Sequence, residues 1–458
     1  MREHVRRPVR LIAVVIISVS CASSPRVGPQ PTPPSTVAMP APAPSSVAPS
    51  ACCGADVLAT GLRIAERYRV AAIGARRFTH ADFWRAVEPS TSSSALRTEQ
   101  VGVSILGRPI RSVTFGQGAT TVLLWSQMHG DESTATMALA DIFRFLVEAP
   151  DDSLRQRLGA ALTIVFIPML NPDGAEVFQR ENAVGIDVNR DARRLSTPEA
   201  RTLRKMHETL KPQFGFNLHD QNARTRVGPR GVQSAIALLA PAFDQPKSYN
   251  EVRSRARLVA ASLATTLAHE IPGRVAKYDD GFNPRAFGDL MQQWGTSTVL
   301  IESGALPDDP QKQRLRALNV AGILGALDAI ATGSYAAAPP SAYESLPFNQ
   351  GGAFDVLVFG GQLVLPGKAP MLVDLAINYD DAVARTRGRV RDSGDLADAV
   401  GIDTVHAAGL FLHPGAESLT STPAGPMLRL GAVADFTLRR GASPTSELVR
   451  RIGTGTQR

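Results

Sequence analysis

The segment Trp125–Glu132 (WSQMHGDE) carries a histidine and a glutamate three residues apart, His129 and Glu132, directly after a short apolar run. Imidazole and carboxylate groups are suitable zinc ligands, and a hydrolytic zinc site needs a third protein ligand and an open position for water. His219 closes another apolar run, Phe214–Leu218 (FGFNL). Taken singly, an HxxE spacing is a weak signal and a histidine at a strand end is more often structural. If both runs are strands of one parallel sheet, however, their carboxyl ends meet at one edge, and the three residues predict a single metal site.

A glutamate and several polar motifs complete this pattern. Glu302 ends a third apolar run, Thr298–Ile301, where a buried carboxylate is costly unless it serves a purpose. The alternative for Glu302 is a structural ion-pair partner. Between the HxxE pair and the strand-end histidine lie Asn171–Gly174 (NPDG), Arg180 and Asp187–Arg190 (DVNR). The alternative for the two arginines is that they are solvated surface residues.

In this order, the motifs resemble those of the carboxypeptidase A-like zinc metallopeptidases. The resemblance implies that His129, Glu132 and His219 hold one zinc ion per chain. It implies that Glu302 is the general base, which takes a proton from water and passes it to the leaving amine. It also implies that Asp187 is the carboxylate that orients a ligating histidine.

The same resemblance, which spans roughly residues 95 to 330, assigns roles in binding a peptide substrate. Arg180 is expected to stabilise the oxyanion, where charge develops on the attacked carbonyl. Asn189 and Arg190 are expected to clamp the terminal carboxylate, because the planar guanidinium group matches a carboxylate in two hydrogen bonds. Tyr278 lies roughly where the family has a mobile tyrosine that caps the substrate.

Two residues that follow Tyr278 have no assigned role. Arg285 and Asp289 either line the pocket that determines side-chain specificity or form a plain ion pair near a helix start. The sequence favours neither interpretation.

Strand-like and helix-like segments alternate from about residue 55 to 335. Thr120–Trp125 and Leu162–Pro168 are predicted to be buried strands, and Ser133–Glu148 has the apolar spacing of a helix. Ser196–Glu199 resembles a capping box that opens another helix. The alternation predicts an α/β fold, with a mainly parallel (mixed) sheet and helices on both faces, as the zinc carboxypeptidase resemblance also implies.

The chain divides into four predicted regions. Residues 1–21 are a signal peptide with a lipobox, and 22–54 form a linker rich in Pro, Ala and Ser that cannot bury enough apolar surface to fold. Residues 55–335 form the catalytic domain. Residues 340–458 form a small all-β domain, because runs such as DVLVFGGQLVLPG and AVADFTLRRG are short strands with glycine-rich turns.

The first residues predict export from a bacterial cytoplasm. An arginine-rich start leads into the apolar run Leu11–Val19, which is too short to span a bilayer, since about 20 residues are needed. The following Ser20–Cys21 resembles the lipobox of bacterial lipoproteins. This implies an envelope protein that contacts the membrane only through a lipid on Cys21, and an ordinary cleaved signal peptide is the alternative. Cys52 and Cys53 are predicted to be free thiols or bonded to another chain rather than to each other.

Composition and charge argue against nucleic acid as a partner. The chain is 44% hydrophobic and 20% charged, as in a globular protein with a real core. Of the formal net charge of +7, the first ten residues contribute three units, from four arginines and one glutamate. The remaining excess is diffuse, without a Lys/Arg block.

Three functional hypotheses follow. The first is a zinc metallocarboxypeptidase that hydrolyses C-terminal residues from peptides outside the cytoplasm. The second is a zinc deacylase of N-acyl amino acids, similar to aspartoacylase and succinylglutamate desuccinylase. The interval of 87 residues from Glu132 to His219 suits that class, whereas NPDG and the export signal favour a peptidase. The third, a non-catalytic binding protein of the envelope, is disfavoured by the complete set of ligands and Glu302.

Overall fold

The computed structural model describes residues 54–453, all of which belong to one compact unit. The predicted signal peptide, the lipobox cysteine Cys21 and residues 22–53 of the predicted linker lie outside the described residues, as do Cys52 and Cys53.

Ten α-helices occur in the described part of the chain. Their bounds are α1 Gly54–Arg67, α2 His80–Thr91, α3 Thr134–Glu148, α4 Ser153–Ala161, α5 Pro172–Val177, α6 Pro198–Leu210, α7 Glu251–Ala268, α8 Phe287–Gln293, α9 Gln313–Thr332 and α10 Ser341–Glu344. Short 3₁₀ turns occur at Val188–Arg190, Ser334–Ala337 and Ala416–Ser418.

Eight strands form the central sheet, and β6 lies outside it. The first nine strands are β1 Arg97–Val103, β2 Pro109–Phe115, β3 Thr120–Ser126, β4 Leu162–Ile167, β5 Phe214–Asp220, β6 Arg226–Val227, β7 Ile236–Leu239, β8 Val275–Lys277 and β9 Ser297–Ser303. The spatial order is β1-β2-β4-β3-β5-β9-β7-β8. The four central strands β4, β3, β5 and β9 are parallel, whereas β1, β2 and the β7–β8 pair are joined to the sheet by antiparallel contacts. The predicted mixed sheet is confirmed.

Helices cover both faces of this sheet. Successive residues of a strand point to opposite sides, so a strand buried on both faces contributes to two apolar layers. Val122 and Leu124 of β3 pack with α1, α3, α7 and α9 in the larger apolar core. Leu123 and Trp125 pack on the other face with α6 and α8. The carboxyl ends of β3, β5 and β9 emerge at one edge between these two layers, where the predicted site residues lie.

Helix α9 is long and apolar enough to cross a membrane by length and composition alone. Within the described residues it is the only such helix, and 72% of its most apolar 18-residue stretch is buried in the protein. It packs against α1 and α3. Its apolar residues are therefore explained by packing in the core of the protein.

The predicted capping box at Ser196–Glu199 is wrong by one residue. Thr197 is the N-cap of α6, and its hydroxyl accepts a hydrogen bond from the Ala200 backbone N–H at 3.2 Å. The physical reason is Pro198, which suits the first position of a helix because it has no N–H to satisfy. Glu199 accepts instead from the Ile105 backbone N–H at 3.3 Å.

The C-terminal region is β-rich, as predicted, although it also contains the short helix α10 and the 3₁₀ turn Ala416–Ser418. Its strands are β10 Asn349–Gln350, β11 Phe354–Leu363, β12 Met371–Asp381, β13 Thr386–Gly394, β14 Gly401–His406, β15 Phe411–Pro414, β16 Leu419–Thr422, β17 Gly425–Leu428, β18 Phe436–Arg439 and β19 Leu448–Ile452. Seven of them form a second sheet with its own apolar core, and β16 pairs with β17.

Polar contacts join the two sheets near the carboxyl edge of the central sheet. Strand β10 pairs with β6, which lies in the loop after β5. Arg224 of that loop donates to the Asp355 carboxylate at 2.8 and 3.0 Å and to the Tyr379 carbonyl at 2.6 Å. Arg76 forms an ion pair with Asp381 at the end of β12. The C-terminal sheet is therefore fastened beside the candidate site.

Candidate active site

The loop after β3 brings His129 and Glu132 to the carboxyl edge of the sheet. Gln127 has φ 51°, a left-handed conformation that residues other than glycine rarely adopt, and it redirects the chain after the strand. Its side chain donates to the Gly130 carbonyl at 2.8 Å. A Cβ atom on residue 130 would lie 2.0 Å from the backbone of Gly174, so the close approach of these two segments requires glycine.

Asn171 of the NPDG motif supports this loop. Its backbone N–H donates to the Gln127 carbonyl at 3.0 Å, and its side-chain amide donates to the Met128 carbonyl at 3.3 Å. Its side-chain oxygen accepts from the Gly174 N–H at 2.9 Å and so caps α5. The motif therefore fixes the position of the loop that carries His129.

Three buried side chains converge at the edge of the sheet. Ligand atoms of His129, Glu132 and His219 all lie within 4.8 Å of one another. Nδ1 of His129 is 2.7 Å from Oε1 of Glu132, and Nδ1 of His219 is 2.6 Å from Oε2. Two imidazole nitrogens and a carboxylate oxygen form a donor set that zinc binds in hydrolytic sites, so the cluster fits a divalent metal ion. The structure brings the three residues together as predicted, and their role as ligands stays a prediction.

Asp187 connects this cluster to Arg180. Its Oδ1 lies 3.0 Å from Nε2 of His129, on the side of the ring away from Glu132, and its Oδ2 accepts from Nε and Nη2 of Arg180 at 3.1 and 2.9 Å. Nη1 of Arg180 donates to Glu132 at 3.1 Å. The geometry is that of a carboxylate that orients a metal-ligating imidazole, and it places Arg180 against the candidate metal site.

The charges in the cluster shift its pKa values in opposite directions. Burial alone would lower the pKa of His129, but Glu132 and Asp187 raise it to about 9. Burial would raise the pKa of Glu132, yet His129 and His219 hold it well below its usual range. Burial lowers the pKa of His219. The Glu132 carboxylate is therefore held ionised, as a metal ligand must be.

Glu302 lies on the strand next to that of His219. Strands β5 and β9 are parallel neighbours, and His219 and Glu302 are directly paired in register. Burial and the nearby charge of Glu132 raise the pKa of Glu302 well above its usual range. The charge of Glu302 and burial also raise the pKa of Tyr278, whose phenol therefore stays protonated. A general base must retain the proton that it accepts, and the raised pKa of Glu302 favours its protonated form.

Asn189, Arg190 and Tyr278 line a cavity of about 500 Å³ together with the metal-ligand candidates. The Asn189 side-chain oxygen accepts from the Phe287 N–H at 2.9 Å, and its amide nitrogen lies 3.4 Å from Nε2 of His219. Arg190 donates to the Asn189 carbonyl at 2.8 Å. The structure places all three residues around one space, and their roles toward a substrate stay predictions.

The structure distinguishes the two interpretations of Arg285 and Asp289. Asp289 lines the cavity. Arg285 is exposed and donates to the Arg190 carbonyl at 3.4 Å, and no ion pair between Arg285 and Asp289 occurs in residues 54–453. The ion-pair interpretation is therefore wrong.

Three further features of the site were not anticipated. Asn217, two residues before His219, lines the cavity, and so does Asn349 from the segment that leads to the second sheet. Lys312 donates to the buried Asp220 carboxylate at 2.9 Å and so neutralises the residue next to His219. Alternation along β5 would have placed Asn217 on the same face as His219. For Lys312 and Asn349 the sequence offers no signal, because their partners are distant in the chain.

A model of the zinc carboxypeptidase family matches residues 82–209. This range contains the HxxE pair, Arg180 and the DVNR segment. It ends before His219 and Glu302, which the fold places beside them.

Curated relatives cover part of the same region. Probable carboxypeptidase 2 of Trichophyton verrucosum is 27% identical over 185 residues, which are 40% of this chain and 33% of that protein. Carboxypeptidase 2 of Trichophyton rubrum is 27% identical over 123 residues, 26% of this chain and 22% of that protein. The chain therefore spans about a third or less of the length of these relatives.

Solved structures of carboxypeptidases are also similar at low identity. The metallo-carboxypeptidase from Burkholderia cenocepacia has a TM-score of 0.46 and 17% identity, with 56% of this chain and 70% of that chain covered. Thrombin activatable fibrinolysis inhibitor has a TM-score of 0.46 and 12% identity, with 59% and 80% covered.

Proposed function

We propose that this chain, whose residues 82–209 match the zinc carboxypeptidase family, is a zinc-dependent metallocarboxypeptidase that hydrolyses C-terminal residues of peptides outside the cytoplasm. The observation that carries the proposal is the convergence of His129, Glu132 and His219 in one cavity, with Glu302 paired in register to His219. The match to the family and the order of the motifs support it.

Zinc, when bound, supplies a Lewis acid that polarises the scissile carbonyl and acidifies water. His129, Glu132 and His219 would hold it, and Asp187 keeps the His129 ring in the orientation that directs Nδ1 toward Glu132 and the candidate metal site. No other set of three His, Cys, Asp or Glu residues within the described ranges has this geometry.

The remaining residues act on the substrate. Glu302 accepts a proton from the attacking water and donates it to the leaving amine, and its burial excludes competing solvent. Arg180 donates hydrogen bonds to the oxygen of the attacked carbonyl, where negative charge develops. Asn189 and Arg190 bind the terminal carboxylate, and the Tyr278 phenol covers the bound residue.

Location outside the cytoplasm, with a lipid on Cys21, is a part of the proposal that rests on the sequence alone. Its support is the arginine-rich start followed by Leu11–Val19 and Ser20–Cys21. Metabolic labelling with a radioactive fatty acid tests it, since Cys21→Ala should abolish the label.

Glu302→Gln is the decisive variant for the reaction. We expect hydrolysis of a mixed peptide library, followed by mass spectrometry, to fall by roughly 10²–10⁴-fold, because the substituted amide cannot accept the proton. Zinc content, measured by elemental analysis, should stay near one per chain in Glu302→Gln and be lost in His129→Ala. The exposed Glu417→Gln variant is the matched control and should retain wild-type rates.

The same experiment distinguishes the peptidase hypothesis from the deacylase hypothesis. A panel of N-acyl amino acids is assayed in parallel with the peptide library. Turnover of N-acyl aspartate or glutamate with no release of C-terminal residues would replace the peptidase proposal, and undiminished peptide hydrolysis by Glu302→Gln would contradict the mechanism.

A further inference from the structure

A second cleft, of about 690 Å³, lies beside the candidate active-site cavity and is lined almost entirely by arginine. We call it the arginine cleft, and the residues that line it are Arg190, Asp191, Arg193, Arg194 and Arg285. Arg190 also lines the active-site cavity, so the two spaces meet at this side chain. Four guanidinium groups and one carboxylate give the cleft a formal charge of +3.

The protein does not neutralise the arginine side chains of this cleft. Those of Arg193 and Arg194 are exposed and form no hydrogen bond or ion pair with any described residue. The side chains of Arg190 and Arg285 each donate only to a backbone carbonyl, at 2.8 and 3.4 Å. Asp289 of the neighbouring cavity attracts Arg190 but forms no ion pair with it within the described structure. Four groups that repel one another are therefore held together without a compensating anion from residues 54–453.

The one carboxylate of the cleft has another role. Asp191 is buried, and its oxygens accept from the backbone N–H groups of Ser196 and Thr197 at 3.0 and 2.7 Å and from the Thr197 hydroxyl at 2.9 Å. It therefore fixes the loop that carries Arg193 and Arg194 and forms no ion pair with them.

Further hydrogen bonds fix the backbone around the cleft. The Ala192 N–H donates to the Arg285 carbonyl at 3.1 Å and so joins the two segments that supply the arginines. The Leu195 N–H donates to the Asp191 carbonyl at 2.8 Å, and Arg201 donates to the Leu195 carbonyl at 3.1 Å. A fixed backbone that carries unpaired guanidinium groups lowers the entropic cost of binding an anion.

The anion that suits these groups best is a phosphate group. A guanidinium group matches a carboxylate or a phosphate in two parallel hydrogen bonds, so a single carboxylate has few acceptor positions for four arginines. A phosphate monoester carries about 1.5 to 2 negative charges at neutral pH and has three strong acceptor oxygens. It therefore offsets more of the charge of the cleft and accepts from several arginines at once.

An apolar groove continues from the arginine cleft and shares Arg193 with it. The guanidinium group of Arg204 lies 3.9 Å from the centre of the Trp294 ring in this groove. The apolar residues that line the groove are Leu195, Phe282, Pro284, Leu290 and Trp294. The organic part of a phosphate ester can therefore contact apolar surface next to the arginines.

From this arrangement we infer that the arginine cleft binds a phosphate monoester, either a soluble compound or a lipid head group, through Arg193 and Arg194. Arg190 contacts the same ligand, and its guanidinium group cannot give its full set of hydrogen bonds to two anions. On the basis of the proposed carboxypeptidase function, a ligand in the cleft therefore weakens binding of the terminal carboxylate of a peptide. It raises KM and leaves kcat nearly unchanged.

Isothermal titration calorimetry with glycerol 3-phosphate tests binding directly. Glycerate, which carries a carboxylate instead of the phosphate, is the comparison. We expect a Kd below about 1 mM for glycerol 3-phosphate and at least about tenfold weaker binding of glycerate. In the double variant Arg193→Gln/Arg194→Gln the Kd for glycerol 3-phosphate should rise at least about tenfold, because two of the four cations are lost.

Arg391→Gln/Arg451→Gln is the matched control. It removes two exposed charges from strands β13 and β19 of the C-terminal sheet, and it should bind glycerol 3-phosphate like the wild type. Thermal unfolding of both double variants checks that they are folded.

Co-sedimentation with phosphatidylcholine vesicles, with or without phosphatidic acid, distinguishes the two sources of the phosphate group. The full chain with Cys21→Ala is used, since a lipid on Cys21 would insert into any vesicle. Binding that requires phosphatidic acid and is lost in Arg193→Gln/Arg194→Gln identifies a lipid head group. Binding of glycerol 3-phosphate without binding to vesicles identifies a soluble ester.

The effect on activity is measured with the best substrate from the peptide library. Saturating glycerol 3-phosphate should raise KM at least about threefold and change kcat less than about twofold in the wild type. In Arg193→Gln/Arg194→Gln it should change neither.

The possible failures are distinguishable. Absence of binding, or equal affinity of the wild type and Arg193→Gln/Arg194→Gln for glycerol 3-phosphate, overturns the site. Equal affinity for glycerate overturns the assignment to phosphate. An increase in KM that persists in the double variant shows binding in the active-site cavity and overturns the coupling through Arg190. If no peptide is hydrolysed at all, the proposed function fails, whereas the calorimetric result for the cleft stands.

Discussion

Glu132 and Glu302 line one cavity, and their surroundings shift their pKa values in opposite directions. Two imidazole groups at 2.6 and 2.7 Å keep Glu132 ionised, whereas burial and the charge of Glu132 favour the protonated form of Glu302. Such a separation is a common way to assign different roles to chemically identical groups. It supports Glu132 as a metal ligand and Glu302 as a proton carrier.

Asp187→Asn tests whether Asp187 orients His129 for metal binding. The substitution weakens the contact with Nε2 of His129 and removes a charge that faces Arg180. We expect zinc affinity, measured by competition with a chelator, to fall by roughly 10- to 100-fold. Glu199→Gln alters a buried carboxylate whose hydrogen bonds are to Ile105 and Asn182, not to the three candidate ligands, and it should leave zinc affinity unchanged. Equal losses in both variants would mean that Asp187 acts only through folding.

Helix α6 carries a buried histidine that affects stability rather than the site. Nε2 of His207 lies 3.1 Å from the Thr296 hydroxyl, which itself donates to the Pro212 carbonyl, so this nitrogen carries the proton of the neutral ring. Its Nδ1 is buried without a hydrogen-bond partner in the described structure. Burial and the charge of Arg204 lower the pKa of His207 to about 4.

The free energy of unfolding is therefore predicted to decrease as the pH is lowered. The folded state favours neutral His207, whereas the unfolded chain takes up the proton near pH 6.5. The stabilisation is complete above pH 6.5 and is lost toward pH 4, by roughly 1.4 kcal/mol per pH unit and by about 3 kcal/mol in all. Urea unfolding at pH 7.5, 6 and 5 measures it, and His207→Gln should flatten the dependence relative to wild type. The exposed His406→Gln should not, and identical slopes in both variants would contradict the prediction.

The strands and helices that could be predicted from the sequence are those with a local signal. The apolar runs that become β3, β5 and β9 are recognisable because they are buried on both faces, and strands of one sheet place their ends together. The helix start at Thr197 was misplaced by one residue because two hydroxyl residues precede Pro198. Lys312 and Asn349 could not be predicted, since they meet residues 92 and 128 positions away through tertiary packing alone.

In the whole molecule, the segment that leads into the C-terminal sheet forms part of the wall of the candidate active-site cavity. Asn349 donates to the Gln221 side chain at 2.9 Å, two residues beyond His219, and both Asn349 and Gly351 line the cavity. The ion pairs of Arg224 with Asp355 and of Arg76 with Asp381 fix the sheet in this position. We therefore expect the two sheets to unfold together.

Arg224→Ala tests this connection. The variant leaves the buried Asp355 carboxylate without its cation, and we expect a loss of about 3 kcal/mol in stability. Calorimetry should show one transition at a lower temperature. Arg389→Ala, which breaks an exposed pair with Asp380, is the control and should cost less than about 1 kcal/mol. Two separate transitions in the wild type would show that the sheets are independent.

The register of β5 with β9 has a consequence for how the proposed metal site forms. Because His219 and Glu302 face each other on adjacent inner strands, a slip of one residue between these strands would turn one of the two away from the opening. Folding of the chain alone therefore brings His219 and Glu302 together, and metal binding is not needed for this step. We expect chelator-stripped protein to keep its native circular dichroism and to regain activity on addition of zinc within seconds, without passing through an unfolded form.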